Sequence, residues 1–134
     1  MRLLIALMMM VYAGLTLAAD DDCENPLTTM DMTRCASMEL ESANEEMKQY
    51  LQAALDRYDE APSNHRLINA AQETWDEYRT KHCDSLFHVW SDSTLGSVKF
   101  AQCKTRLTRA RTHEIWRSFL TRDDDSEPVL PEPQ

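Results

Sequence analysis

The four cysteines, at positions 23, 35, 83 and 103, are the residues best equipped for chemistry, and their spacing decides which chemistry. A structural zinc site draws on close pairs such as C-x2-C. Here 11, 47 and 19 residues separate successive cysteines. An even count at such spacing in a small exported chain reads as two disulfides. Oxidised cysteines supply no nucleophile, and the sequence offers no Ser–His–acid set in their place. Acids are abundant, 23 Asp and Glu against 14 Lys and Arg. Any two of them can be named a glycosidase pair, so abundance carries no weight. No catalytic residue is expected. Met30, Met32 and Met38 are soft enough for Cu(I), but the histidines at 65, 82, 88 and 113 are scattered, so neither a metal nor a cofactor is expected.

Disulfides need an oxidising compartment, and the N-terminus supplies a route to one. Arg2 precedes an apolar run from Leu3 to Leu17, which ends in Ala18-Ala19 before three aspartates. A positive start, a short apolar core and small residues before a polar stretch describe a secretory signal peptide over residues 1–19. The run is short for a membrane span, which takes roughly 20 apolar residues. Cys23 follows aspartates, so it is not placed for lipid attachment. A periplasmic or secreted protein with no membrane anchor after cleavage is expected. The net charge of −9 favours cationic partners and disfavours nucleic acid.

The elements that must position the cysteines are helical. Gly96 is the sole glycine beyond the leader, and apolar residues recur in steps of three and four. Ala36, Leu40, Ala43, Met47, Tyr50, Ala54 and Tyr58 form one stripe on a long first helix, capped by Thr28 or Thr29, with Asp31 in its first turn. After a break at 60–64, with Ser63 or Asn64 as cap, a second stripe runs through Leu67, Ala71, Trp75, Tyr78, His82 and Leu86 to Val89 and Trp90. A third helix, about 98–120, carries Phe100, Cys103, Leu107, Ala110, Ile115 and Phe119. Short connections make neighbours antiparallel. The expected fold is all-α: an antiparallel three-helix arrangement, a long helical hairpin plus a third helix, stapled by two disulfides. Residues 20–122 form one domain, and 123–134 form a disordered, acidic, Pro-rich tail. Most aromatics, among them Trp75, Tyr78, Phe87 and Trp90, are expected in the core.

This arrangement favours bridges 23–35 and 83–103. The first folds the lead-in against the first turns of helix one, and the second joins positions made level by a fold near residue 94. The hairpin also brings 35 near 83, so 35–83 with 23–103 is the rival pairing.

Four stretches carry a family resemblance: C-x-N-P-x-T at Cys23 to Thr28, M-x-x-C-A-x-x-E-L at Met32 to Leu40, A-A-Q-x-x-W-x-x-Y-R-x-x-x-C at Ala70 to Cys83, and C-x-x-R-L-T-x-x-R-T-x-E at Cys103 to Glu114. Together they resemble the LprI-type lysozyme-inhibitor-like family of small exported helical proteins. The resemblance implies a disulfide-bonded helical domain, periplasmic or secreted; the leading expectation is that it binds and blocks a cationic lysozyme-type hydrolase and is not itself an enzyme. The alternative is a periplasmic helical adaptor or chaperone-like module without lysozyme inhibition.

The small polar loop before helix three, Asp92, Ser93, Thr94 and Leu95 with Lys99 beyond it, is the expected partner-binding element. Trp75, Tyr78 and Arg79 form a structural motif, with Arg79 expected to pair with a helix-one carboxylate. Charge is uneven: residues 20–60 hold twelve acids and three bases, whereas 96–122 hold seven bases and one acid. Helix three is thus expected either to neutralise helix one or to present a basic patch to an anionic polymer or membrane surface.

Overall fold

The structure, a computed structural model, describes residues 23–121 and 127–134. The expected signal peptide at 1–19 lies outside the described residues. Three helices follow one another, α1 (Thr29–Arg57), α2 (Pro62–Val89) and α3 (Gly96–Ile115), and a single π-helical turn, Trp116–Leu120, continues α3. No strand occurs among the described residues.

Each helix starts for a different local reason. Thr28 caps α1 in a reciprocal box: its hydroxyl oxygen accepts from the Asp31 N–H at 3.1 Å, and the Asp31 carboxylate accepts from the Thr28 N–H at 3.1 Å. The expected stripe is buried, with Ala36, Ala43, Met47, Tyr50 and Ala54 turned inward. α2 departs from expectation, because neither Ser63 nor Asn64 caps it. Ala61 precedes the helix with no side-chain cap, and Pro62 takes the first turn, where its missing N–H costs nothing and its fixed φ suits the helix. Gly96 begins α3 rather than lying in the loop. A Cβ there would stand 3.1 Å from the Trp90 carbonyl oxygen and 3.5 Å from the Phe87 ring, so close approach of two backbones selects glycine.

The helices form a bundle in which α1 and α3 make the most extensive contact and α3 also packs along α2. α1 and α3 run in the same direction: Ala36 meets Val98 and Ala101 at one end, and Ala54 meets Ile115 and Leu120 at the other. α2 runs antiparallel to both and packs mainly on α3. Two apolar clusters result. The larger joins Met47, Tyr50, Ala54, Ile115 and Leu120, with Trp75, Trp116 and Phe119 against it. The smaller joins Ala36, Val98 and Ala101, with Met32 and Leu95 against it.

Two expectations about burial are corrected. On α2 the inward residues are Ile68, Gln72 and Cys83, one position round from the expected stripe, which leaves Leu67 62% and Tyr78 53% exposed. Hydropathy alone picks Leu67 and Tyr78, whereas the bundle turns polar Gln72 and Arg79 inward because they find partners there. Phe87 and Trp90 are also more than a third exposed, so they belong to the surface rather than the core. Phe87 still meets Phe100 edge to face at 5.9 Å.

The tail is the third correction. Residues 123–126 lie outside the described residues, but 127–134 run along the larger cluster. The Val129 N–H donates to the Leu120 carbonyl at 2.9 Å, the Trp116 Nε1–H to the Leu130 carbonyl at 2.9 Å, and the Tyr50 hydroxyl to the Pro131 carbonyl at 2.7 Å. Leu130 packs on the cluster itself. Composition suggests disorder, yet one leucine and three backbone partners suffice to seat the segment. Arg57 closes the same end: its guanidinium donates to the Phe119 and Thr121 carbonyls, at 2.5 and 3.2 Å, which the end of the helix leaves without partners.

Candidate binding surface

Both bridges form as favoured. Cys23–Cys35 spans 5.6 Å between Cα atoms and Cys83–Cys103 spans 5.7 Å. Each separation is within the range a disulfide accepts. The first pins the extended lead-in to α1, and the second joins the end of α2 to the start of α3.

Between the two apolar clusters lies a layer of buried polar groups. Arg79 of α2, with 15% of its side chain exposed, donates from Nη1 to Asn44 Oδ1 of α1 at 2.8 Å and to Thr108 Oγ1 of α3 at 2.7 Å. Its Nη2 meets Asp76 Oδ1 at 3.1 Å, and its guanidinium carbon lies 4.8 Å from the centroid of the Trp75 ring. Arg111 of α3 donates from Nε to Gln72 Oε1 at 3.1 Å and from Nη1 to Glu114 at 2.8 Å. The helix-one partner of Arg79 is thus the Asn44 amide rather than the expected carboxylate. The acid it meets, Asp76, sits one turn back on its own helix. Arg79 Nε is buried without a hydrogen-bond partner, so the layer is satisfied but for one donor.

The loop residues singled out in the sequence gather at the end of the bundle where α2 finishes and α3 begins. The connection is a pair of tight turns: the Ser93 N–H donates to the Trp90 carbonyl at 2.9 Å, the Gly96 N–H to the Ser93 carbonyl at 3.1 Å, and the Leu95 N–H to Ser93 Oγ at 3.2 Å. Leu95 packs on the smaller cluster, while Asp92 and Thr94 face solvent. The Lys99 ammonium sits 5.4 Å from the centroid of the half-exposed Trp90 ring. Sequence reasoning overlooked Trp90 as a surface aromatic, because its place in a helical apolar stripe argued for burial.

Acid and base are segregated around the bundle. A cleft of about 550 Å³ between α1 and α2 is lined by Glu41, Glu45 and Asp76, with Lys48 and Arg79 beside them. Lys48 is held by Glu45 at 2.5 Å. Only one ion pair among the described residues links α3 to α1, Arg109 to Glu39 at 2.9 Å. Both partners are about half exposed, so it contributes ~0–1 kcal/mol. Neutralisation of α1 by α3 therefore does not occur as broadly as expected. At the start of α1, the Thr28 hydroxyl holds the Asp31 carboxyl below its ordinary value; burial opposes it, and the Thr28 N–H and Arg34 add to the lowering. The Tyr50 phenol is pushed up, chiefly by burial and then by Glu46. No cluster of three His, Cys, Asp or Glu suited to a metal occurs among the described residues, and no described helix is long and apolar enough to cross a membrane.

A family model described as lysozyme inhibitor LprI matches residues 20–115. The chain belongs to the LprI family. No curated protein and no solved structure matches it. The matched span covers all three helices and both disulfides, and it ends before the π-helical turn and the seated tail. The stretches that carried the resemblance now have a physical role. Gln72, Trp75 and Arg79 from the third stretch meet Thr108 and Arg111 from the fourth in the buried polar layer, and the cysteines of all four form the two bridges. These stretches therefore hold the bundle together.

Proposed function

We propose that this protein is exported, periplasmic or secreted, and that it binds and blocks a basic cell-wall hydrolase of lysozyme type. The match to the lysozyme inhibitor LprI model over residues 20–115 carries the reading. Two features support it. The disulfides suit an oxidising compartment outside the cytoplasm. The acids of the α1–α2 face, Glu41, Glu45 and Asp76, give a cationic enzyme an electrostatic approach, which raises the association rate more than the final affinity.

Affinity then comes from a few well-packed anchors. The end of the bundle formed by Trp90, Asp92, Ser93, Thr94 and Lys99 supplies an exposed aromatic ring with a positive charge stacked on it. In this reading Lys99 approaches the paired carboxyls of the hydrolase cleft. Leu95 serves from below, by fixing the turn.

Turbidity of bacterial cell walls treated with a basic animal-type lysozyme tests the proposal. Stoichiometric oxidised protein should slow lysis at low salt and do so less as salt rises. Unchanged lysis together with no heat of binding in calorimetry would sink it. The apolar residues Leu67, Tyr78 and Val89 that α2 leaves exposed favour a second reading, a helical adaptor for another envelope protein. Recovery of a non-hydrolase partner with no effect on lysis would select that reading.

A further inference from the structure

We infer that the outer face of α3 docks the protein on an anionic phospholipid surface. Lys99, Arg106 and Arg117 stand seven and eleven residues apart. At 100° per residue Lys99 and Arg106 fall about 20° apart on one face of α3, and Arg117 continues the row on the π-helical turn that follows α3. Lys99 rests on Trp90, and none of the three makes an ion pair among the described residues. Of the acids near the face, Glu39 is engaged by Arg109, Glu114 by Arg111 and Glu132 by His113, and Asp92 stays exposed in the loop before Lys99. Free positive charge therefore runs the length of α3 in a protein whose net charge is −9.

The occupant follows from charge and from what sits at one end of the row. Val89, 79% exposed, and Trp90, 38% exposed, lie where the row begins, beside Lys99. An aliphatic residue and an indole next to basic side chains suit the headgroup boundary of a bilayer, where tryptophan and lysine partition together. The net negative charge of the chain does not cancel the attraction. The acids of the α1–α2 cleft, Glu41, Glu45 and Asp76, belong to the other two helices, and helices are separated by about 8–10 Å, while charges beyond a Debye length of about 8 Å are screened at physiological salt. Trp90 and Lys99 also anchor the proposed hydrolase contact, so a membrane and a hydrolase compete for that end of the bundle. The inference goes beyond the hydrolase reading and does not depend on it.

Co-sedimentation of the oxidised protein with phosphatidylglycerol vesicles tests it, with phosphatidylcholine vesicles alongside. Binding to the anionic vesicles is expected, with weakening as salt rises and none to the neutral ones. Each base near such a surface contributes about fivefold in affinity, so the double substitution Arg106→Gln/Arg117→Gln should weaken binding about 25-fold. Arg66→Gln/Lys81→Gln, which removes two bases from α2, should leave it unchanged, and thermal melts establish that each variant folds. Four results overturn the inference: no sedimentation with anionic vesicles, equal sedimentation with neutral ones, equal loss in both double variants, or self-association at low salt that Arg106→Gln/Arg117→Gln abolishes. The last would assign the face to the acidic side of a second copy. Retained lysozyme inhibition in Arg106→Gln/Arg117→Gln separates this test from that of the proposed function. Should that variant fail to fold, loss of wild-type vesicle binding at high salt decides the electrostatic claim by itself.

Discussion

Replacing Arg79 by methionine probes the buried polar layer most directly. Methionine keeps the aliphatic stem and removes the guanidinium. Bonds to Asn44 and Thr108 disappear, at 2.8 and 2.7 Å, and hydrogen bonds to a charged group contribute about 1.5–3 kcal/mol each. The ion pair with Asp76 adds little, since that carboxylate is nearly half exposed. Stacking on Trp75 at 4.8 Å adds about 1 kcal/mol. Against these stands the desolvation of the guanidinium, several kcal/mol, which the variant recovers. Thr108 is fully buried and is left without its partner, which tips the balance. The expected net loss is about 2–3 kcal/mol, or a melting temperature lower by roughly 10 °C for a domain of this size. Urea unfolding should show a lower midpoint with an unchanged slope. Arg79→Lys should recover less than half of the loss, because an ammonium cannot span Asn44 and Thr108 as the planar fork does. A methionine variant as stable as the parent, or more stable, refutes this reasoning. The layer would then fix the register of the helices without net stabilisation.

Other consequences are as direct. Removing the 83–103 bridge by paired Cys→Ser substitutions frees a loop of 20 residues and should cost about 3 kcal/mol by loop entropy, read from denaturant melts. Tyr50→Phe should cost about 1 kcal/mol by releasing the Pro131 carbonyl, and protease cleavage within 127–134 should quicken. The lowered Asp31 carboxyl contributes stability that is present above its ordinary range and is lost as pH falls through the lowered value. Asp31→Asn should therefore flatten that part of the acid melt. Charge reversal of Glu41 and Glu45 to lysine should slow association with a basic lysozyme, measured by stopped flow, more than it speeds dissociation.

How far the sequence could be read differs from helix to helix. α1 was legible almost to the residue, because it buries a narrow apolar stripe and its cap is a threonine with an acid three residues on. α3 was not, because it packs against both other helices and buries a wide arc that includes threonines. Thr105 and Thr112 go inside because each hydroxyl donates to the carbonyl four residues back, at 3.0 and 2.9 Å. A hydropathy stripe does not register such residues. α2 was read one position out for a related reason: Gln72 and Arg79 are buried by partners on other helices, and no local pattern announces those partners. The favoured bridges formed because the ends of the helices set them. The basic row on α3 was visible as composition, but its alignment on one face emerged only with the helix in place.

Both covalent links lie toward the end where α1 and α3 begin and α2 finishes. The opposite end has no covalent link and is held by the larger apolar cluster, Arg57 and the seated tail. The molecule is thus built like a pair of tongs riveted at the handle and gripping at the jaws. Backbone amides at the turn around 58–61, outside that grip, should exchange with deuterium sooner than those flanking Cys83 and Cys103. A fusion partner attached after Gln134 would load the jaws and leave the riveted end clear.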